Sequence, residues 1–200
     1  MKTQLATIKK PEEIAVIKKG GRLLGSILQQ LAKMVKPGIT TEDLEKKADE
    51  LIIKAGGRPS FKGYRSKHET PFPCILCTSV NDEVVHAASI PARVLKDGDI
   101  VGIDIGMEYP AKNGFYTDTA VTAAVGKISA ENKKLIEVTQ KALQVGVKAV
   151  KPGNKISDIG RMIENYVKPF GYGIVRDLVG HGVGYAVHEA PRIPNYFDPA

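Results

Sequence analysis

Val35-Lys36-Pro37-Gly38 recurs as Val150-Lys151-Pro152-Gly153, and the surroundings of the two copies recur with them. Upstream of each lies a helical pattern, Glu12 to Met34 in the first and Glu131 to Val150 in the second. Downstream, Thr41-Glu42-Asp43-Leu44 starts one helix and Ser157-Asp158-Ile159 starts another. These run to glycine stops at Gly56-Gly57 and Gly171-Tyr172-Gly173. The chain therefore reads as two copies of a helix–helix–sheet unit, an α+β architecture, with a first half of about 1–126 and a second of about 127–200 within one domain spanning 1–200. After the first helix pair comes a long β-rich stretch from about Arg58 to Val125; after the second, only Ile174 to Ala200. If strand lengths match, roughly forty residues of sheet are expected beyond Ala200, the C-terminal strands being missing.

The β-rich stretch holds two apolar segments, Asp99-Ile100-Val101-Gly102-Ile103-Asp104-Ile105-Gly106-Met107 and Phe115-Tyr116-Thr117-Asp118-Thr119-Ala120-Val121, with a turn-rich break between them. A turn centred near Ala111 would set Asp104 directly opposite Asp118 on one face of a hairpin. Like charges so placed destabilise a strand pair, and buried carboxylates must share a cation or stay partly protonated. A divalent metal answers both demands, since carboxylate oxygens and imidazoles can hold it. Taken singly, either aspartate reads equally well as a turn or cap residue.

At 200 residues, 42% hydrophobic and 26% charged, the composition is that of an ordinary globular protein. The N-terminus lacks an apolar signal core and no apolar run is long enough to span a bilayer, so no membrane partner and a cytoplasmic location are expected. The net charge of +7 is spread in pairs such as Lys9-Lys10, Lys18-Lys19 and Lys133-Lys134. Such spreading fits solvated helix faces and at most a weak attraction to nucleic acid or the ribosome surface. Cys74 and Cys77 are the only cysteines. No second pair or finger-spaced histidines accompany them, so they read as buried packing residues, with Cys77 a candidate pocket wall.

Of four histidines, His68 lies in a charged run and reads as exposed, while His86 ends the apolar run Glu83-Val84-Val85, read as a strand. His181 stands in Val179-Gly180-His181-Gly182-Val183-Gly184, where glycines would clear room for a ligand. His188 follows in Val187-His188-Glu189-Ala190-Pro191. The spacing is not His-Glu-x-x-His, and there is neither a Gly-x-Ser-x-Gly elbow nor a dinucleotide loop.

Pro11-Glu12-Glu13-Ile14, Cys77-Thr78-Ser79-Val80-Asn81 running to His86, Asp97-Gly98-Asp99-Ile100-Val101 running to Asp104, and Gly114 running to Asp118 precede Gly180–Gly184, His188-Glu189-x-Pro191 and Pro194-Asn195-Tyr196. In this order they resemble the type I methionine aminopeptidases, within the larger pita-bread family that includes proline-specific aminopeptidases. The resemblance implies a pita-bread fold of two pseudo-symmetric halves, two divalent metal ions (Mn, Fe, Co or Zn), and removal of methionine from peptides that begin with it. It implies Asp104, Asp118 and His181 as metal ligands, with Asp118 bridging both ions. His86 and His188 would be the catalytic, non-ligand histidines, also touching substrate at its amino end and its scissile carbonyl. Phe72, Cys77 and Val187 would line the methionine pocket. A monomer is the default expectation.

Three departures qualify the match: Ala87 stands where the family usually has glycine, the loop between the aspartates is longer, and Val187 replaces a bulky aromatic. The resemblance also implies two glutamate ligands beyond Ala200, without which the chain as it stands is expected to hydrolyse little. Alternative readings are a pita-bread protein that binds without catalysis and a proline-directed peptidase of the same fold.

Overall fold

The computed structural model describes residues 6–65 and 70–199. It divides into two compact units, one of Ile8–Ser129 with Val183–Val187, the other of Ala130–Gly182 with the stretch that starts at His188.

In the first unit, α1 runs Pro11–Met34. Proline opens the helix where a missing N–H costs nothing, and Glu12 and Glu13 in the first turn suit the positive end of its dipole. Leu24, Ile27, Leu28 and Leu31 recur at helical spacing and are buried. The second helix, α2, runs Thr41–Lys54 behind a capping box: Asp43 N–H donates to the Thr40 hydroxyl at 3.1 Å, and Thr40 N–H donates to the Asp43 carboxylate at 2.9 Å. It ends at Gly56, whose φ of +78° closes the helix as only glycine does cheaply.

Four strands follow: β1 Arg58–Pro59, β2 Leu76–Val80, β3 Ile100–Tyr109 and β4 Phe115–Ala124. All pair antiparallel to β3, with β4 along one edge and β1 and β2 sharing the other. Because successive side chains point to opposite faces, β3 sends Val101, Ile103, Ile105 and Met107 one way and Gly102, Asp104, Gly106 and Glu108 the other. The apolar set is fully buried in one core with Leu24, Leu31, Leu44 and Ile52 of the helices. Burying each such side chain contributes about 1.5–3 kcal/mol. The opposite face carries the chemistry.

Glu45 of α2 is buried, and its carboxylate accepts the backbone N–H of Ile75 at 2.6 Å, that of Leu76 at 2.9 Å and the Ser89 hydroxyl at 2.5 Å. One residue thus ties both ends of the segment that carries Cys77 and His86. Between those ends the expected strand at Glu83-Val84-Val85 is a loop. Asn81 turns the chain at φ 56°, its side-chain oxygen accepts Ile100 N–H at 3.0 Å, and Glu83 accepts Val80 N–H at 2.7 Å. The segment rejoins the sheet only at the Cys77↔Ala88 bridge. Val84 and His86 are exposed, so β-branched residues there follow turn chemistry rather than propensity.

The second unit holds α3 Ala130–Ala149, α4 Ile156–Val167, a 3-10 turn Lys168–Phe170, and a short antiparallel pair, β5 Gly180–Gly182 and β6 Glu189–Ile193. Gly146 lets the helices touch, since a Cβ there would meet Ile163 Cδ1 at 2.8 Å. Glu164 of α4 accepts the Phe197 N–H at 3.0 Å and pairs with Arg176 at 2.8 Å. Gly153 and Gly171 have φ of +88° and +78°, matching Gly38 at +91° and Gly56. The sequence repeat is thus a repeat of backbone shape. Its packing is not repeated: Leu28 is 6% exposed, whereas Leu143, its counterpart at the same offset, is 65% exposed. Among the described residues, no helix is long and apolar enough to cross a membrane.

Glu45→Ala should strand three buried donors, each worth about 1–3 kcal/mol. Urea denaturation should show a loss near the upper end of what single substitutions cause, with Glu45→Gln milder.

Candidate functional site

Asp104 and Asp118 do share a face of the β3–β4 hairpin, but they are not directly opposed. Tyr109 still pairs with Phe115, so the loop is Pro110–Gly114 and its centre falls at Lys112, one residue beyond Ala111. Asn113 takes φ 55° within it. Asp104 consequently faces Ala120, and Asp118 faces Gly106. The carboxylates sit on a diagonal, where Cα atoms are about 7–8 Å apart. That eases the repulsion of a direct pair.

On its other side Asp104 faces Cys77 of β2. Cys77 is buried, and burial, with the Asp104 carboxylate adding to it, pushes its thiol up, so it stays protonated. Both aspartates are half-buried. Gly102, Gly106 and Ala120 are small residues beside them on this face. Gly106 is required for a specific reason, since a Cβ there would collide with Ser60 Oγ and the Phe61 ring, which cross the strand at that point. As a donor set, two carboxylates on one face fit part of the oxygen shell of a divalent ion. Among the described residues, no group of three or more His, Cys, Asp or Glu is gathered that could hold a metal.

His181, in the second unit, is half-buried on β5 and faces Arg192 of β6. Its Nδ1 lies 3.0 Å from the Gly182 carbonyl oxygen. A carbonyl only accepts, so Nδ1 carries the proton and the lone pair falls on Nε2, the nitrogen then able to ligate. The His188 ring lies 4.2 Å from that of His181. The flanking glycines do not clear room for a ligand as their pattern suggests. Cβ atoms at Gly180 and Gly182 would meet the β6 backbone at 3.2 and 2.5 Å, so the space is taken by close strand pairing across a bulge. His68 lies outside the described residues.

Within the first unit, Val187 is buried in the wall of a cavity of about 320 Å³, with Arg58, Ser60, Tyr64, Tyr116 and Tyr185 among its neighbours. Cys77 and Phe72 do not line this cavity. Phe72 instead bonds two of the lining residues through its backbone, its N–H donating to Tyr64 O and its carbonyl accepting Gly63 N–H, both at 2.8 Å. The tyrosines were not singled out in the sequence, although strand alternation put Tyr116 on the face of Asp118, and Tyr185 stands two residues before Val187. Arg58 is held by Glu108, whose other oxygen accepts Gly114 N–H at 3.0 Å.

Gly106→Ala should force Ser60 and Phe61 off the strand, costing about 1–3 kcal/mol. A scanning calorimeter should record a lower Tm, by about 2–4 °C for each kcal/mol.

The sequence model of metallopeptidase family M24 matches residues 15–200. The methionine aminopeptidase of Clostridium acetobutylicum is 44% identical over 192 residues, 96% of this chain and 74% of the relative. Among solved structures, a methionine aminopeptidase from Thermotoga maritima is similar with a TM-score of 0.90 and 38% identity, over 98% of this chain and 75% of that one. A prolidase from Pyrococcus furiosus is similar in fold, with a TM-score of 0.78 at 24% identity, over 96% and 53% of the two chains.

Proposed function

Because the chain belongs to metallopeptidase family M24, we propose that it hydrolyses the first peptide bond of peptides and nascent proteins that begin with methionine, with divalent metal as cofactor. The 44% identity to a methionine aminopeptidase over nearly the whole chain carries this reading. The proline-specific relative, at 24% identity, speaks only to fold.

Asp104, Asp118 and His181 are the residues assigned to hold two ions drawn from Mn, Fe, Co or Zn. Bound there, such ions supply Lewis acidity and a water of lowered pKa. Asp104 and Asp118 contribute oxygen donors from one sheet face, and His181 contributes Nε2. His86 is assigned to the substrate's amino end, where an imidazole can accept from the ammonium group. His188 is assigned to the scissile carbonyl, which it would polarise by hydrogen bonding. Val187 bounds the side-chain pocket together with Tyr64, which Phe72 holds through its backbone, and Cys77 stands beside Asp104. A cytoplasmic monomer that meets its substrates as they leave the ribosome completes the reading.

The test is release of methionine from Met-Ala-Ser by the protein expressed from its complete reading frame, with Mn²⁺ in excess. Turnover should vanish with a chelator and return with metal. Asp118→Asn and His181→Ala should each lower kcat/KM by at least about 10²-fold, more than loss of an outer partner typically does. A near-wild-type rate in either variant removes that residue from the site.

Val187→Phe narrows the pocket. A methylene of contact carries about 1–3 kcal/mol of discrimination, so the Met/Leu ratio of kcat/KM should rise severalfold. An unchanged ratio takes Val187 out of the pocket.

A further inference from the structure

The segment Val183–Val187, whose Tyr185, Ala186 and Val187 line the cavity, has no regular secondary structure, and its position depends on what it touches. Contacts within the first unit hold it. The Gly184 carbonyl accepts Tyr116 N–H at 2.7 Å. The Tyr185 ring leans on Phe115, with centroids 5.6 Å apart. The Lys9 ammonium lies 4.8 Å from the Tyr185 ring centroid, and its stem covers Gly184 so closely that a Cβ there would come within 2.6 Å. The Tyr185 hydroxyl donates to Glu13 Oε2 at 2.7 Å.

That last bond stands apart. Glu13 already has a local task, accepting the Lys10 N–H at 2.7 Å through the same oxygen and capping α1. A carboxylate oxygen has lone pairs for both donors. The Tyr185 hydroxyl, ahead of the Lys10 amide, holds the Glu13 carboxyl below the usual carboxylate range, so the acceptor is ionised at neutral pH. Helix capping needs no tyrosine, and the bond between residues so far apart in sequence serves only to fix where Tyr185 sits. Two positions later, Val187 inherits that placement.

We propose that Glu13 is a positioning residue for substrate selection: through Tyr185, with Lys9 over the ring, it holds the Tyr185–Val187 wall against the substrate's first side chain. This rests on the reading of the cavity as the methionine pocket. Glu13 touches no substrate, so its effect should appear in binding and selectivity rather than in the chemical step.

The experiment compares Tyr185→Phe, Glu13→Ala, Glu13→Gln and the Tyr185→Phe/Glu13→Ala double variant by hydrogen–deuterium exchange and by kinetics on Met- and Leu-initiated peptides. Tyr185→Phe keeps the ring and removes only the hydroxyl. It and Glu13→Ala should speed exchange across Val183–Val187 and at the Tyr116 amide by about fivefold or more, with α3 and α4 unchanged. Both should raise KM for Met-Ala-Ser about three- to tenfold with kcat within about twofold, and lower the Met/Leu ratio. The double variant should be no worse than the worse single one, because both remove the same bond. Glu13→Gln, which keeps an acceptor oxygen, should restore most of the KM. A structural role alone would lower the active fraction and leave KM and selectivity where they were, which overturns the proposal. Unchanged exchange at Val183–Val187 in both single variants overturns it as well, whatever the turnover. Wild-type protein that releases no methionine sinks the reading of function instead, and the exchange data still decide whether Glu13 holds the wall.

Discussion

The ten-position pairing of Ile100–Tyr109 with Phe115–Ala124 decides which side chains share a face. Because the period is two, a slip of Ile100–Tyr109 by one residue would put Asp104 on the opposite face from Asp118, drive it into the core and turn Ile103 and Ile105 outward. The slip is prevented from both sides. Apolar residues of β3 are buried with those of α1 and α2, and Gly106 admits Ser60 and Phe61 only when it lies on the carboxylate face. A surface that concentrates negative charge is thereby held by the same strand that anchors the core.

Glu45 plays a comparable part for the neighbouring segment. A buried carboxylate is tolerable only when fully hydrogen-bonded, and its three donors come from two stretches distant in sequence. It therefore fixes the entry to β2 and the far end of the loop carrying His86 at once. The loop between can follow its own turn geometry without loosening the strand that bears Cys77.

The helices and the internal repeat were legible because their signals are local: Thr40 and Asp43 cap α2 within one turn, and Gly38, Gly56, Gly153 and Gly171 mark left-handed positions that other residues avoid. The faces of β3 were legible through alternation. What escaped reading depended on partners far along the chain. The exact facing of Asp104 turned on one residue in the Pro110–Gly114 loop. The run Glu83-Val84-Val85 has strand composition, but the backbone groups around it are claimed by Asn81 and Glu83. Gly180 and Gly182 announced close approach correctly, while the approaching group is the β6 backbone. Tyr64, Tyr116 and Tyr185 meet at one cavity from three separate segments, a convergence that no spacing encodes.

That convergence has an optical consequence. The chain has seven tyrosines and no tryptophan, and three of the seven line a single cavity. Ultraviolet emission from these 200 residues is therefore phenolic, with no indole among them to drain it by energy transfer. Quenching or shielding at those three rings, by an entering side chain or a neighbouring cation, would stand out against only four other emitters. The cavity thus carries its own intrinsic chromophores, and its occupancy can be followed without attaching a label.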